Sequence, residues 1–479
     1  MEENSLAETI SRREALKRIA VVGSAVWLAP SWLEAQDESE QNIYKIAING
    51  GKVFTHNELK KDIFVGVTQD NKIKLSDKPL KASTIIDATG KIVSPGLIDI
   101  LADNAANPRM TYSIFEKYKV SDGLTTVLQM HGGAESPALF HQYFDTQPHY
   151  VNYGVGVFVM LIRLKYASLA MRYAMVEKGL AEGGLAVCHS LEYQPDTTYA
   201  EVKEYAKLAK KYDRPIFLHL RYSSEKDELK GVQEAIRLAQ ETGVRVHIDH
   251  LHSTGGTYNM PKALEMIQNA NFAGSEITCC VYPYSFWATY IVSERFSGDW
   301  QSRYGITYQD LTIVGTGEKL TAATFPAYRK RYGVLVAVPE GTMPFEKTVN
   351  LALQADFCMF GSDGGIESEP RANSHPRGAA FAATAIRHCL DIGLGLEKAL
   401  SKLTTLPARL MRPSLNKRAD LRDGFHADIT IFDPKTIKGK ATVANPNQFS
   451  EGIDYVIVNG EIAYKQGKLL KQNGKPIKY

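Results

Sequence analysis

The stretch Pro215-Ile216-Phe217-Leu218-His219-Leu220-Arg221, taken with Val244-Arg245-Val246-His247-Ile248-Asp249-His250-Leu251-His252, decides how this chain folds. Each is a short run rich in β-branched and aromatic residues and each predicts a strand. Between them Val232, Ala235, Ile236 and Ala239 recur at helical spacing, and Gly243 supplies a C-terminal stop. Strand, helix, strand is the unit of a parallel sheet. Side chains alternate along a strand, so Phe217, His219 and Arg221 share one face, as do Val246, Ile248, His250 and His252 on the next strand. On both, apolar residues lead to polar ones at the C-terminal end.

Working outward, the pattern repeats. Thr198 and Glu201 form a capping box ahead of Val202, Tyr205, Ala206 and Ala209 on one helical face. Ala263, Leu264 and Ile267 mark another helix, and Ile277 to Val281 another strand. Phe357-Cys358-Met359-Phe360-Gly361-Ser362-Asp363-Gly364 puts Asp363 on the face of Met359 and Gly361, just before a glycine-rich loop. About 310 residues of such alternation suit a TIM-like (β/α)8 barrel over residues 96–421. A doubly wound sheet fits less well, because the chain carries neither a G-x-G-x-x-G fingerprint nor a Walker lysine motif. Barrels of this kind place their catalytic groups at the C-terminal strand ends, so His219, His250 and Asp363 converge on one mouth. Imidazole and carboxylate are zinc ligands, and such a site keeps a position open for water. Taken singly, an inward histidine is more often a core residue and an aspartate after a strand a helix cap.

The two ends of the chain resemble each other. Ile46 to Val53 and Tyr455 to Ile462 both read as apolar strand, Asn-Gly turn, apolar strand, the signature of a hairpin. Residues 41–95 and 422–479 therefore predict one small composite β-sandwich domain, joined to the barrel at Ser94-Pro95-Gly96 and Arg422-Asp423-Gly424. Ahead of it, Arg12 and Arg13 precede an apolar stretch from Ile19 to Leu28. Residues 1–40 thus read as a twin-arginine-type signal, which implies a periplasmic or secreted protein, with no stable membrane span unless the signal is retained.

Composition closes off other classes. Of 479 residues 44% are hydrophobic and 23% charged, which excludes a disordered chain. Lys and Arg number 56 against 53 Asp and Glu, so the net charge of +3 offers no field for nucleic acid. Five cysteines without a C-x-x-C pair exclude a zinc ribbon and a disulfide framework, leaving histidine and carboxylate to supply most ligands of any metal.

Several segments, in this order, carry a family likeness: Ser94-Pro95-Gly96-Leu97-Ile98-Asp99, Asp122-Gly123-Leu124-Thr125-Thr126-Val127, Leu191-Glu192-Tyr193-Gln194-Pro195, His219-Leu220-Arg221, Tyr282-Pro283-Tyr284, Gly361-Ser362-Asp363-Gly364, Ser374-His375-Pro376-Arg377 and Ala427-Asp428-Ile429. With them the chain resembles the N-acyl-D-amino-acid deacylases (D-aminoacylases) of the amidohydrolase superfamily. The resemblance implies a metal-binding barrel in which His219 and His250 are ligands and Asp363 is the catalytic aspartate. It also exposes departures. The family's His-x-His pair on the first strand falls on Leu101 and Asp103, its bridging cysteine on Gly132 with His131 beside it, and its Gly-His after the third strand on Phe158-Val159. One zinc ion per chain, held by His219 and His250 and completed by His131, Asp363 or water, is the economical reading. Asp103 is a weaker candidate and Glu192 reads as structural.

The implied chemistry is hydrolysis of a linear amide in a small N-acyl substrate by metal-activated water, with Asp363 as general acid and base. Arg221 and Arg377 are candidates for the substrate carboxylate, although a barrel-wall salt bridge explains Arg221 equally well. His252 stands where the deacylases present a lysine to substrate. Tyr282, Tyr284, Phe286 and Trp287 form an aromatic run able to line the pocket or to pack. Two rivals remain at this level: a degenerate barrel that binds a ligand without hydrolysing it, and a metal-assisted lyase or isomerase on the same scaffold.

Overall fold

The computed structural model describes residues 44–102, 108–331, 333–365 and 375–479. The signal segment with Arg12 and Arg13, Asp103 and Ser374 lie outside these residues. Among the described residues no helix is long and apolar enough to cross a membrane.

Eight strands form the central sheet: β1 (Leu97–Asp99), β2 (Leu124–Ala134), β3 (Asn152–Phe158), β4 (Val187–Ser190), β5 (Ile216–His219), β6 (Val246–Ile248), β7 (Ile277–Val281) and β8 (Cys358–Phe360). They neighbour one another in chain order, and every paired strand is parallel. The seam between β8 and β1 closes just beyond the strands, through a parallel bridge of Ala102 with Gly364 and the Asp363 N–H, which donates to Leu101 O at 2.7 Å. A fully buried ion pair pins it: Lys119 Nζ lies 2.7 Å from Asp99 Oδ2, and the Ser362 hydroxyl donates to the same oxygen at 2.6 Å. This is the expected TIM-like barrel.

The helix layer follows from the apolar stripes. Helix Glu228–Thr242 buries Val232, Ala235, Leu238 and Ala239 and ends at Gly243, whose φ of 65° is the left-handed cap that glycine accommodates. Helix Tyr199–Lys211 is capped by Thr198, whose Oγ1 accepts from the Glu201 N–H at 3.2 Å. The capping box is only half formed. The Glu201 carboxylate turns away to the guanidinium groups of Arg163 and Arg172 and to the Tyr205 hydroxyl, because a charge-assisted contact outweighs a bond to one backbone amide.

Strands from both ends of the chain share one seven-stranded sheet, in the order Lys468–Leu469, Glu461–Lys465, Ile453–Val458, Ile429–Phe432, Ile92–Pro95, Lys52–Thr55, Glu58–Lys60. A four-stranded sheet carries Tyr44–Asn49 beside Phe64–Thr68 and Ala82–Asp87. The small composite β layer is therefore present. The second Asn-Gly hairpin forms as expected, Ile453–Val458 against Glu461–Lys465. The first does not: Tyr44–Asn49 and Lys52–Thr55 belong to different sheets. A Cβ on Gly51 would lie 2.7 Å from a Val93 methyl, so the glycine pair serves as a tight corner between sheets.

Between β7 and β8 the chain builds a three-stranded sheet, Ala288–Tyr290, Leu335–Ala337 and Thr312–Ile313, over a separate core that includes Trp287, Phe296, Trp300 and Phe325.

Candidate metal centre

At the C-terminal mouth of the barrel lies a cavity of ≈ 440 Å³ lined by His131, His219, His250, Asp363 and Arg377 on one side. Apolar and aromatic residues, among them Phe158, Met160, Trp287, Tyr290 and Leu335, complete its wall. Trp287, Tyr290 and Leu335 come from the insertion between β7 and β8.

The three histidines reach the cavity by different routes. His219 ends β5, inward by plain alternation after Phe217. On β6 the parity is the reverse of that expected. Val246 and Ile248 face the helix layer, while His247 packs its ring 4.6 Å from that of Phe217 inside the barrel. The strand also stops at Ile248, and His252 falls on the short helix Leu251–Thr254. His250 regains the cavity through a positive φ of 26°, and Asp363 likewise sits at φ 49°. Non-glycine residues in that region cost roughly 1–3 kcal/mol and cluster at functional sites.

Ligand nitrogens of His131, His219 and His250 lie within 4.8 Å of one another, the arrangement a metal ion requires. Hydrogen bonds assign the tautomers of His219 and His250. His219 Nε2 is 2.8 Å from Glu192 Oε2, and an ionised carboxylate only accepts, so Nε2 carries the proton. Nδ1 is left as a lone pair, buried and without a partner. Ser253 donates to His250 O at 3.1 Å and receives the His250 Nδ1 proton at 2.9 Å, which frees Nε2 of that ring. Burial above all lowers the pKa of His219, against the opposing pull of Glu192, and burial with the neighbouring His219 and His131 lowers that of His250 further. Both imidazoles are therefore neutral donors, and the site fits a metal of the zinc type.

Asp363 faces this group. Its carboxylate is 2.8 Å from Arg377 Nη2, 3.4 Å from His131 Nε2 and 3.8 Å from His250 Nε2. Arg377 is 5% exposed, and its Nε and Nη1 are buried without partners. The Tyr282 hydroxyl, on the same wall, is also buried without a partner.

Other sequence candidates stand elsewhere. Arg221 lies off the cavity lining, held by Glu234 at 2.8 Å and Pro195 O at 3.1 Å, as the salt-bridge reading had it. His252 is fully buried behind Tyr282, ring to ring at 4.1 Å, and burial pushes its pKa down to about 3. Tyr284 donates its hydroxyl to Ala380 O at 3.0 Å, and Phe286 stacks on His375. Of the aromatic run only Tyr282 and Trp287 line the cavity.

Asp249 was missed, while Glu192, expected to be structural, supports the site from outside the cavity: besides His219 it meets Arg295 of the insertion at 2.6 Å. Burial alone would raise its pKa, but Arg295, His219 and Ser223 outweigh that and hold it well below the usual carboxylate range. Asp249, next to His250 and 2% exposed, brings Oδ2 to 3.4 Å from His131 Nδ1, and burial pushes its pKa up to about 6. Asp249 and His131 lie far apart in sequence, with no motif to join them.

Two of the positions that would hold further ligands in the family likeness are apolar or bare. Leu101 is fully buried in the inner cluster with Cys280 and Met359, and Gly132 offers no side chain. Among the described residues, the three histidines form one metal-holding group.

Known proteins resemble this chain over most of its length. A model of the amidohydrolase family matches residues 117–463. An N-acyl-D-glutamate deacylase of Alcaligenes xylosoxydans xylosoxydans is 27% identical over 435 residues, 80% of this chain and 85% of that protein. A D-aminoacylase of the same organism is 26% identical over 450 residues, covering 84% and 90%. Among solved structures, the N-acyl-D-glutamate deacylase of Bordetella bronchiseptica, complexed with zinc and a phosphonate mimic of the tetrahedral intermediate, superposes with a TM-score of 0.78 at 22% identity, over 92% of this chain and 100% of that one.

Proposed function

The chain belongs to the amidohydrolase family, and from that premise we propose that it hydrolyses N-acyl amino acids of the D series at a single-zinc centre. The observation that carries the reading is the convergence of three imidazoles, Asp363 and a half-used arginine at one barrel mouth. When bound, the metal supplies polarisation of the amide carbonyl and activation of water.

The chain's own residues do the rest. Asp363, opposite the imidazoles, accepts a proton from the attacking water and returns it to the nitrogen of the leaving amine. The Arg377 guanidinium holds Asp363 through Nη2 and, lying 4.4 Å over the Tyr282 ring, keeps a positive charge in the cavity wall that attracts a substrate carboxylate. Phe158, Met160 and Leu335 exclude water from one flank, which strengthens these charge contacts. A single ion is favoured because Leu101 fills the neighbouring corner with hydrocarbon and Gly132 lacks a ligand.

The test is a panel of N-acetyl amino acids in both enantiomers, with N-acetylated sugars as outsiders, assayed alongside elemental analysis. We expect amine release from D substrates at about one zinc per chain, and loss of both metal and turnover in His219→Ala and His250→Ala. Stoichiometric metal with no hydrolysis across the panel would transfer the reading to a binding protein. Two tightly held ions would sink the single-zinc assignment. Export through a twin-arginine route belongs to the same proposal, supported by Arg12 and Arg13 ahead of the apolar run. Residues 1–45 fused to a reporter should lose export when both arginines become lysine.

A further inference from the structure

We infer that Asp249 is the positioning residue of the metal centre: its carboxylate fixes the His131 ring so that the opposite ring nitrogen is turned toward the metal. The inference rests on the reading of the site as a metal centre.

His131 does not reach the cavity by alternation. Leu128 and Met130 occupy the inner face of β2, which makes Gly132 the next inward residue and His131 an outward one. A β-bulge reverses this. Gln129 stands opposite Val155, yet Ala134 stands opposite Val157, so β2 advances faster than β3 across this segment. Within it Gly133 adopts φ +115°, and a Cβ there would lie 2.3 Å from Gly156 O. Bulges next to active sites re-aim side chains, and here the bulge delivers His131 to the site.

A ring carried on a bulge needs something to set its rotation. Asp249 supplies it from the residue just past β6, at the parity that also carries His247. Asp249 Oδ2 is 3.4 Å from His131 Nδ1. Asp363 Oδ1 stands equally far, 3.4 Å, from Nε2, so the ring lies between two carboxylates, and with Nε2 given to a metal the proton is kept on Nδ1 for Asp249. The ring centroids of His219 and His250 are 5.5 Å and 5.1 Å from that of His131. A carboxylate behind a ligating histidine is the usual device for fixing tautomer and orientation. No other role shown in the structure requires a carboxylate at this buried position, where Asp249 Oδ1 has no partner.

The experiment measures zinc affinity by competition with a chromophoric chelator, and the melting temperature of the metal-free protein, for Asp249→Ala and Asp249→Asn. We expect Asp249→Ala to bind zinc roughly 10–100-fold more weakly than the parent. Asp249→Asn keeps an acceptor oxygen without the charge and should fall between the two, with the metal-free protein melting no lower than the parent in either case. Unchanged affinity in both variants, while His219→Ala and His250→Ala still lose the metal, overturns this inference and leaves the metal-centre reading standing. Loss as complete as in His250→Ala also overturns it, because Asp249 would then be a ligand. A lower melting temperature with unchanged affinity assigns Asp249 to packing and overturns it as well. If the parent itself binds no metal tightly, the inference and the reading beneath it fall together.

Discussion

Replacing Asp363 by asparagine isolates one proton from everything else the residue does. The backbone tolerates the change, since asparagine adopts a positive φ such as the 49° found here nearly as readily as aspartate. The bond from the residue's N–H to Leu101 O, which helps to close the barrel, belongs to the main chain and survives. The side-chain cost falls on the pair with Arg377, which loses its charge but keeps one acceptor oxygen. A hydrogen bond to a charged group is worth about 1.5–3 kcal/mol, so retention of part of it leaves a loss of about 1–2 kcal/mol. The chemical cost is larger. An amide cannot accept a proton from water, and general-base catalysis contributes about 10²–10⁴-fold. At 1.36 kcal/mol per factor of ten this raises the barrier by about 2.7–5.5 kcal/mol. The assay is kcat and KM on whichever N-acyl substrate the parent cleaves, with metal content and melting temperature measured on the same preparation. We expect kcat to collapse while metal is retained. A variant that holds its metal and turns over within a few-fold of the parent would refute the general-base assignment.

Three further outcomes follow from the same geometry. Arg377→Lys keeps a positive charge beside Asp363 but loses the planar fork, so KM should rise roughly tenfold or more with a smaller change in kcat. Glu192→Gln tests the ion pair with Arg295. Because the folded pKa of Glu192 lies well below the unfolded value of 4.5, its contribution to stability is present above pH 4.5 and is lost as pH falls through the folded pKa. The gap in melting temperature between parent and variant should therefore narrow as pH drops from 6 toward 3, and a gap that widens would contradict the assignment. Gly133→Ala forces a Cβ against Gly156 O at a backbone angle alanine disfavours. It should destabilise by roughly 1–3 kcal/mol and weaken zinc binding, both read by thermal melts with and without metal.

Much of the barrel was legible because its elements obey one periodicity at a time. Ile277–Val281 is a strand over the residues expected, and Gly243 ends its helix with the φ its position demands. The second Asn-Gly hairpin was legible for the same reason, its turn and both flanking strands being contiguous. The first failed because a glycine pair that makes a sharp corner reads the same whether the strands on either side pair with each other or with distant partners. The insertion between β7 and β8 was hidden by composition. Its aromatic residues resemble pocket lining, yet most of them pack a separate core.

The metal centre shows where alternation stops being a guide. His219 was read correctly because β5 runs regularly to its end. The argument for His250 rested on the wrong face of β6, and the residue reaches the cavity only because its backbone leaves the strand with a positive φ. That same kink lets two consecutive residues, Asp249 and His250, both turn inward, which no regular strand allows. His131 needs a bulge to do what alternation denies it. Such departures cost free energy and persist only where the surrounding structure holds them, so their grouping around one cavity is itself an argument for function. It also bears on the second ion that the family likeness would allow. Leu101 Cβ lies 2.7 Å from where a Cβ on Gly361 would sit, so the corner between β1 and β8 is closely packed hydrocarbon. Leu101→His alone should therefore not recruit a second metal: the imidazole would enter an apolar corner, the family's other departed positions Gly132 and Val159 cannot ligate, and an unpaired buried polar group costs roughly 1–3 kcal/mol. A stoichiometry that rises from one ion to two in this single variant would mean that the second site is intact apart from one ligand, and the case for a centre rebuilt around His131 would fail with it.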